Sequence, residues 1–369
     1  MKKIILVANA SWTMVKFRYG LMQALVKSGY KVYVVSPYDK YSNEIEDIGC
    51  EFIDIRMDNK GSNPIKDLKL VWDFYRIYKD INPDLIIHYT IKPNIYGSFA
   101  TKLAGCKSIS IIPGLGYTFI NDNLTAKIAK ILYKLALKVP RQVWFINQDD
   151  KNLFIEKQLV KKEKVFTING EGVNIEQYKS NNVVSSNDKF IFLLIGRVIV
   201  DKGIYEYIEA AKIIKEKYED VEFQIMGLIA NNPMAIQEIE IKQWQKDNII
   251  TYLGSVDNVK EYIEQSNCIV LPSYREGVSM SLMEAASMSC PIITTNVTGC
   301  KEIVDNNING FLCEARNSKD LADKMEMMIN LSDDERKIMG QAGRKKIVKE
   351  FDEKIVIDKY LDSIKEILN

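Results

Sequence analysis

Short apolar runs that alternate with helix-like segments restrict the fold of this 369-residue chain more than any other feature. In the first half, these runs occupy residues 3–8, 31–36, 84–88, 108–112 and 142–147. Continuous apolar runs of this length are typical of parallel strands covered on both faces. The first half is therefore predicted to form a parallel sheet with helices on both sides.

The same pattern starts again after a polar, turn-rich segment at residues 180–189. Strands are predicted at 190–195, 221–226, 268–271 and 291–294, with helices at 204–217 and 280–289. The predicted organisation is an N-terminal α/β domain (1–180), a C-terminal α/β domain (181–350) and an amphipathic final helix (351–369). In open α/β sheets, ligands bind beyond the carboxyl ends of strands, so the site is expected there, in a cleft between two Rossmann-like domains.

Composition excludes several classes of protein. The six cysteines include no C-x-x-C pair and the chain has a single histidine, so buried thiols are predicted rather than a zinc site. No apolar run approaches the ~18–20 residues that span a bilayer, and the first strand is too short for a signal peptide. No G-x-G-x-x-G follows that strand, which disfavours a nicotinamide-dependent enzyme. We therefore expect a cytoplasmic protein without a zinc site.

The net charge of +1 hides a difference between the two halves. Residues 1–180 contain 27 Lys and Arg against 18 Asp and Glu, whereas the remainder contains 23 against 31. Two explanations stay open: the basic half contacts an anionic surface, or both halves have solvated charged faces.

Two cations follow the strand predicted at 190–195. Arg197 stands directly after it, next to Gly196, and Lys202 precedes Gly203, where a helix is predicted to begin. Arginine can grip a phosphate with two donors and lysine adds a point charge, while the helix start supplies free amides. This combination indicates a diphosphate site, although two solvated cations on a loop without a ligand would give the same sequence pattern.

Two carboxylates stand eight residues apart across the next strand-to-helix junction. Glu276 precedes Gly277, the helix is predicted to start near Ser279, and Glu284 lies more than one turn inside it. Glu276 can therefore face a ligand, and Glu284 can accept hydrogen bonds from a vicinal diol. Most such pairs are merely an exposed and a helix-face glutamate, but the strand, the glycine and the upstream cations favour a nucleotide-sugar site.

In order along the chain, these motifs resemble those of the retaining glycosyltransferases of family 4. The segments that carry the resemblance are Gly196-Arg197, Lys202-Gly203, Leu253-Gly254, Leu271-Pro272-Ser273, Glu276-Gly277, Glu284-Ala285, Gly299 with Glu302, and Asn309-Gly310. The resemblance implies the two-domain GT-B fold, with a terminal helix that returns to the first domain. It also implies that Arg197 and Lys202 bind the donor diphosphate, that Glu276 contacts the donor sugar and Glu284 the ribose, and that no metal is needed.

A narrower resemblance lies in the first half. Lys16-Phe17-Arg18, the segment from Thr90 to Gly97 and Gly114-Leu115-Gly116 are similar to bacterial enzymes that extend glycans on undecaprenyl diphosphate, including N-acetylgalactosaminyltransferases and O-antigen or capsule enzymes. The resemblance implies acceptor contacts from a set of five residues: Asn9, Phe17, Arg18, Lys92 and Asn94.

Two departures from that family pattern matter. The loop after the first strand is Asn9-Ala10-Ser11-Trp12 rather than a glycine pair. Many relatives also place a sugar-contacting histidine near the strand at 84–88, but His88 is offset from that place. His88 is therefore either a donor contact or only a strand-end residue.

Four lysines form a stripe at helical spacing: Lys127, Lys130, Lys134 and Lys138. Ile128, Ile131, Leu132, Leu135 and Val139 are predicted to fill the other face. Either that apolar face packs on the sheet and the lysines are solvated, or the helix lies on an anionic leaflet. The stripe has no aromatic stacking set beside it, so nucleic-acid binding is not expected.

Together, the sequence predicts a retaining hexosyltransferase that moves a sugar, an N-acetylhexosamine, from a UDP-sugar to a lipid-diphosphate-linked saccharide at the inner face of the cytoplasmic membrane. Two alternatives stay open: a sugar-nucleotide epimerase of the same fold, and a UDP-sugar-binding protein without activity.

Overall fold

The computed structural model describes residues 1–58, 63–115, 124–180, 189–229, 234–256 and 258–369, with the side chains of 124 and 125 excepted. They form two compact units, Met1–Gly172 with Glu353–Asn369, and Val173–Asp352. The units thus meet in sequence at 172/173 and 352/353, whereas the sequence placed the boundaries at 180/181 and 350/351. The reason is a tertiary pairing, because Val173 forms a parallel bridge with Asp352 and its amide donates to the Phe351 carbonyl at 2.9 Å.

The predicted linker at 180–189 lies almost wholly outside the described residues. The residues before it belong to the second unit, where the Arg344 guanidinium donates to the carbonyls of Ile175 and Tyr178. The chain therefore enters the second unit before the polar segment begins.

In chain order, the first unit contains β1 (Lys3–Val7), α1 (Ser11–Lys27), β2 (Lys31–Ser36), α2 (Ser42–Asp47), β3 (Glu51–Asp54), α3 (Pro64–Ile81), β4 (Leu85–Tyr89), a π-helical turn (Pro93–Gly97), α4 (Ser98–Ala104), β5 (Ser108–Ile112), α5 (Leu124–Ala136), β6 (Gln142–Phe145), α6 (Gln148–Glu156) and β7 (Val165–Thr167). Among the described residues the strands form one parallel sheet of order β3-β2-β1-β4-β5-β6-β7. Strands β1, β2 and β4 are buried almost throughout, as their continuous apolar sequences predict.

The second unit contains β8 (Phe190–Ile195), α7 (Ile204–Lys215), β9 (Val221–Met226), α8 (Glu238–Lys246), β10 (Thr251–Tyr252), α9 (Lys260–Gln265), β11 (Cys268–Leu271), α10 (Met280–Ser287), β12 (Ile292–Thr295), β13 (Gly310–Cys313), α11 (Ser318–Asn330) and α12 (Asp333–Glu350). Its described strands also form a parallel sheet, of order β10-β9-β8-β11-β12-β13. The strand order reverses direction between β8 and β11, and such switch points are where open α/β sheets bind ligands.

The last helix, α13 (Glu353–Leu368), belongs to the first unit. Tyr360 packs on Trp144 with ring centroids 4.8 Å apart, and Ser363 donates to the Gln142 side chain. At the end of the helix, Lys2 and Lys107 donate to backbone carbonyls at 2.8 and 2.7 Å. These contacts attach α13 to β6 and to the residues before β1 and β5.

The fold class predicted from the sequence is confirmed: two parallel α/β units of the Rossmann type. Four short strands, β3, β7, β10 and β13, were not predicted, and α1 begins at Ser11. The Asn9-Ala10-Ser11-Trp12 segment is consequently the entrance to a helix rather than an open loop. All six cysteines are free, and all except Cys106 are buried.

Candidate active site

The start of α7 is the first part of the site. The chain leaves β8 through Gly196 and the exposed Arg197, makes a single 3-10 turn (Val200–Lys202) and enters α7 after Gly203. Gly203 has φ +70°, and a Cβ there would lie 2.1 Å from the Pro272 carbonyl oxygen. Only glycine therefore allows this turn to approach the end of β11 so closely.

That approach brings the predicted diphosphate lysine onto the predicted sugar carboxylate. The Lys202 ammonium forms an ion pair with the Glu276 carboxylate, and the two side chains are only 15% and 14% exposed. Ser273 donates to the same carboxylate oxygen at 2.6 Å. Two of the sequence-predicted residues, 74 positions apart, are thus in direct contact.

The backbone around Glu276 is held from both sides. The Tyr274 amide donates to the Asp201 carbonyl at 2.8 Å, and the Glu276 amide donates to Thr298 at 2.9 Å. The Ser279 amide donates to the Gly299 carbonyl at 2.9 Å. Gly299 has φ +84°, and a Cβ there would lie 2.5 Å from the Glu276 backbone.

Helix α10 begins immediately after this segment. Ser279 is its N-cap residue and is buried, so the free amides of the first turn lie close to Gly277 and Glu276. Glu284 lies in the second turn and accepts a hydrogen bond from the Tyr178 hydroxyl. Burial, together with the charge of Glu284, raises the pKa of Tyr178, so its hydroxyl stays a donor at neutral pH.

A cluster that the sequence did not indicate flanks this segment. The Tyr274 hydroxyl contacts both carboxylate oxygens of Glu206 at 2.8 and 2.9 Å, and the Arg316 guanidinium lies 4.4 Å from the Tyr274 ring centroid. Burial and the Glu206 hydrogen bond raise the pKa of Tyr274. Neither Tyr178 nor this cluster belongs to a local motif, because each contact joins distant parts of the chain.

The predicted acceptor residues divide into two groups. Asn9 is half-buried two residues after the end of β1, and Phe17 packs edge-to-face on Trp12 with ring centroids 5.4 Å apart. Arg18 and Asn94, by contrast, lie in the interior of the first unit. Asn94 donates to the Ile111 carbonyl at 2.7 Å, which ties the π-helical turn to β5.

Arg18 is held by contacts within the first unit. Its guanidinium pairs with Glu171 and lies 3.9 Å from the Tyr89 ring centroid. Burial raises the pKa of the Glu171 carboxyl, and Arg18 opposes that rise. Arg18 also has non-helical backbone angles, φ −134° and ψ 16°, inside α1. The prediction that Arg18 and Asn94 contact the acceptor does not fit these buried positions.

Lys92 remains accessible to a ligand in the first unit. It forms an ion pair with Asp67 at 2.8 Å and lines a cavity of about 610 Å³ at the carboxyl ends of β2 and β3. The other lining residues are Pro37, Tyr38, Asp54, Ile55, Arg56, Met57, Asp58, Lys66, Asp67, Lys69, Leu70 and Asp73. The cavity is rich in both signs of charge and in hydrogen-bonding groups, as a polar ligand requires.

His88 is a buried residue of β4. Its Nε2 lies 2.9 Å from the Tyr78 hydroxyl, and burial lowers the pKa of the imidazole to about 3. Of the two roles left open, the strand residue fits this position and the donor contact does not.

Helix α5 carries three lysines of the predicted stripe, and Lys138 lies two residues beyond its end. The buried and exposed faces differ from the prediction. Lys127, Lys134 and Lys138 are exposed and Lys130 is half-buried. Ile128, Ile131 and Leu135 were expected to pack inward and are instead 49%, 60% and 48% exposed. The buried positions are taken by a different set: Ala126, Tyr133, Ala136 and Leu137. An apolar stripe bordered by lysines therefore faces outward.

Two features of the described residues concern metals and membranes. Among them, no cluster of three or more His, Cys, Asp or Glu side chains is placed to hold a metal ion. Within the same residues, no helix combines the length and apolar character that crossing a bilayer demands.

The sequence matches known protein families over both units. Residues 3–147 match the model of the family described as glycosyl transferase 4-like, and residues 176–346 match that of glycosyl transferases group 1. The chain therefore belongs to the glycosyltransferases, with a 4-like domain followed by a group 1 domain, and its two α/β units have the GT-B fold. Both models describe transferases, so the epimerase alternative is not supported.

Several relatives are similar over most of their length. An N,N'-diacetylbacillosaminyl-diphospho-undecaprenol α-1,3-N-acetylgalactosaminyltransferase of Campylobacter jejuni is 26% identical over 97% of each chain. A UDP-Gal:α-D-GlcNAc-diphosphoundecaprenol α-1,3-galactosyltransferase of Escherichia coli is 26% identical over 82% of this chain and 79% of that one.

Solved structures share the fold. A glycosyltransferase from Rickettsia africae superposes with a TM-score of 0.83 at 22% identity, over 100% of this chain and 99% of that one. Anabaena HepE in complex with UDP and glucose gives 0.81 at 16% identity, over 99% of this chain and 100% of that one.

Proposed function

We propose that this glycosyltransferase is a retaining enzyme that transfers a sugar, an N-acetylhexosamine, from a UDP-sugar to a saccharide linked to a polyprenyl diphosphate. The observation that carries the proposal is the contact of Lys202 with Glu276 beside the starts of α7 and α10. It gathers a cation, a carboxylate and two sets of free amides at one sheet edge. The similarity to lipid-linked glycan transferases over nearly whole chains supports the choice of acceptor.

The second unit holds the donor in this proposal. Arg197, Lys202 and the amides at the start of α10 neutralise the diphosphate, and Glu276 exchanges its lysine partner for sugar hydroxyls. Glu284, oriented by Tyr178, accepts hydrogen bonds from the ribose. Gly277 and Ser279 let the backbone approach the donor.

Catalysis follows from where charge develops. Cleavage of the anomeric bond leaves negative charge on UDP, and the fixed cations and amides stabilise that charge. A phosphate oxygen of the departing UDP accepts the proton of the acceptor hydroxyl on the same face of the sugar, so the configuration is retained. The chain supplies positioning and electrostatics, and no metal or other cofactor is required.

The first unit holds the acceptor in this proposal. Its cavity beside Lys92 supplies charged and hydrogen-bonding groups for a saccharide, with Asn9 and Phe17 near the end of β1 as further candidates. Helix α5 contacts the anionic inner leaflet through Lys127 and Lys134, and Lys138 just beyond its end does the same, which brings the enzyme to an acceptor anchored there. The enzyme is thus a peripheral membrane protein of the cytoplasmic side.

The test is a donor panel. The protein is incubated with individual UDP-sugars and bacterial membrane lipid extract, and the products are identified by mass and by the anomeric configuration of the new linkage. We expect one UDP-N-acetylhexosamine to give a lipid-linked product with retained configuration, in the presence of chelator. UDP binding without any lipid-linked product would leave only a binding protein, and strict dependence on Mg²⁺ or Mn²⁺ would contradict the metal-free proposal.

A further inference from the structure

Helix α3 has an apolar stripe on the side that faces away from the sheet. Ile65, Leu68 and Trp72, spaced by three and four residues, are 82%, 72% and 51% exposed. The opposite side of the helix holds Leu70, Phe74 and Tyr78, which are buried in the core. A surface helix needs one apolar stripe for its core contacts, so the second stripe calls for a partner outside the unit.

Helix α5 repeats the same arrangement. Its outward residues Ile128, Ile131 and Leu135 have the same spacing of three and four. The connections β3 to β4 and β5 to β6 step in the same direction across the sheet, so right-handed crossovers place α3 and α5 on the same sheet face. Both helices also pack against the π-helical turn Pro93–Gly97. The first unit thus presents two outward apolar stripes on one face.

The surroundings of the α3 stripe indicate which partner it suits. Lys66 and Lys69, which also line the cavity beside Lys92, are exposed next to the stripe, and Lys66 pairs with Asp58 at 3.3 Å. The Arg76 guanidinium lies 5.6 Å from the Trp72 ring centroid. Tyr75 stacks on Trp72 at 5.1 Å. Tryptophan and tyrosine rings bordered by long cations are typical of the membrane–water interface, where the cations reach the headgroups. The excess of 27 cations over 18 anions in residues 1–180 complements an anionic surface.

We propose that the α3 stripe, Ile65, Leu68 and Trp72, is a second membrane-contacting element that enters the interfacial region of an anionic phospholipid bilayer. The α5 lysines supply long-range attraction, and the α3 stripe supplies apolar burial that salt does not screen. The biological setting rests on the membrane-bound acceptor of the proposed function. Bilayer binding itself is measured without donor or acceptor, so the two proposals fail separately.

The fluorescence of Trp72 can show whether this residue enters the bilayer. In a variant with Trp12 and Trp244 replaced by phenylalanine, the remaining tryptophans are Trp72 and the buried Trp144. We expect vesicles of phosphatidylcholine and phosphatidylglycerol to shift its emission to the blue, and lipids brominated on the acyl chains to quench it. The same protein with Trp72→Phe should show neither effect. Emission unchanged by vesicles that bind the protein would overturn the proposal.

A matched pair of double variants tests the contribution to binding. Ile65→Glu with Leu68→Glu should lower co-sedimentation with these vesicles by about tenfold or more, including at high salt, because charged groups are expelled from the interface. The control carries Ile239→Glu and Ile338→Glu, which are 73% and 65% exposed on helices of the second unit, and should bind as wild type does. Circular dichroism of both variants checks that they are folded.

Two outcomes decide against the inference. Equal vesicle binding by the α3 variant and its control would remove α3 from the membrane surface. If wild type sediments as a dimer in analytical ultracentrifugation and only the α3 variant is a monomer, the stripe is an interface between two copies. Transfer to a short water-soluble acceptor analogue should be the same in all variants, and its absence in wild type would count against the proposed function alone.

Discussion

At the residue scale, the site shows how two predicted donor contacts are held before the donor arrives. Lys202 and Glu276 neutralise each other in a largely buried position, so neither charge is left unpaired. A diphosphate would replace the carboxylate as the partner of Lys202 and release Glu276 for the sugar. The sequence identified both residues because each follows a strand in a recognisable local motif, but their mutual contact depends on tertiary structure.

Removal of the lysine charge should weaken nucleotide binding. We expect Lys202→Ala to reduce UDP affinity roughly ten- to a hundredfold, since a charge-assisted hydrogen bond contributes about 1.5–3 kcal/mol. Isothermal titration calorimetry with UDP measures the change. Lys212→Ala is the control, because Lys212 is an exposed lysine of α7 that pairs with Glu209. Wild-type UDP affinity in the Lys202 variant would remove it from the diphosphate site.

Substitutions of the two carboxylates should affect different quantities, one the turnover and the other the affinity for the nucleotide. We expect Glu276→Gln to lose kcat while UDP affinity changes little, because Glu276 holds the sugar. Glu284→Gln should lose affinity for both UDP and UDP-sugar, because it holds the ribose. Tyr178→Phe should show a weaker form of the Glu284 pattern, since it removes only the orienting hydrogen bond. Identical patterns in the two glutamine variants would contradict this division.

His88 should make folding sensitive to acid. Burial lowers its pKa to about 3, whereas an unfolded chain takes up the proton near pH 6.5, so stability is lost as pH falls between these values. The loss approaches about 1.4 kcal/mol per pH unit. We expect His88→Gln to lower the slope by about that amount between pH 6 and 4, in urea titrations at several pH values. As His88 is the single histidine, equal slopes would show that it is not buried neutral.

At the element scale, continuous apolar strands were predictable and short or polar ones were not. Strands β2, β5, β8, β9 and β11 have the predicted bounds. Four of them are buried almost throughout, whereas β9 alternates buried and half-buried residues. Strand β3 has acidic residues at both ends, and β10 is two residues long, so neither shows a clear apolar run or alternation. Helix α5 shows a different limit, because hydropathy finds an apolar stripe but not which side of the helix is buried. There, Tyr133 and small alanines fill the core.

The segment that supports Glu276 should be intolerant of a side chain at Gly299. Alanine there would place Cβ 2.5 Å from the Glu276 backbone, so the loop must shift and carry its carboxylate away from the donor. We expect Gly299→Ala to lower kcat/KM at least tenfold, beyond its effect on stability. Gly105→Ala is the matched control, because Gly105 has φ +76° with nothing within 4 Å of the added Cβ.

Both glycine variants should lose about 1 kcal/mol or more of stability through the positive φ alone. Thermal unfolding measures the loss of stability that both variants share. Initial rates with donor and acceptor measure the loss of activity that is expected only for Gly299→Ala. If both variants keep wild-type rates at a temperature where they are folded, the Gly299 contact does not position Glu276.

At the scale of the whole molecule, the sequence predicted two α/β units and their charge difference but not their limits. The boundary near residue 172 depends on the pairing of Val173 with Asp352, which are 179 positions apart in the chain. Composition instead indicated the polar segment at 180–189, because turn-forming residues are a local signal. The difference in charge between the basic first half and the acidic second half can be counted from the sequence alone. A basic first half favours attraction to an anionic membrane.

The lysine stripe of α5 should give that binding its dependence on salt. Replacing Lys127, Lys130, Lys134 and Lys138 by glutamate changes the charge of one surface by about eight units, and each lysine near an anionic bilayer contributes about 1 kcal/mol. Because screening acts over roughly 8–10 Å at physiological salt, we expect wild type to co-sediment with anionic vesicles at low salt and less at high salt. The glutamate variant should bind weakly in both.

A second set of substitutions distinguishes the effect of this surface on vesicle binding from the effect of the net charge of the protein. The control replaces four exposed lysines of the second unit by glutamate: Lys242, Lys246, Lys337 and Lys345. It has the same net charge as the α5 variant and should bind vesicles far better, because its changes lie outside the proposed contact surface. Transfer to a short soluble acceptor analogue should survive in both, while transfer to the long polyprenyl acceptor falls only in the α5 variant. Equal binding by the two variants would mean that net charge, rather than the α5 surface, governs attraction to the membrane.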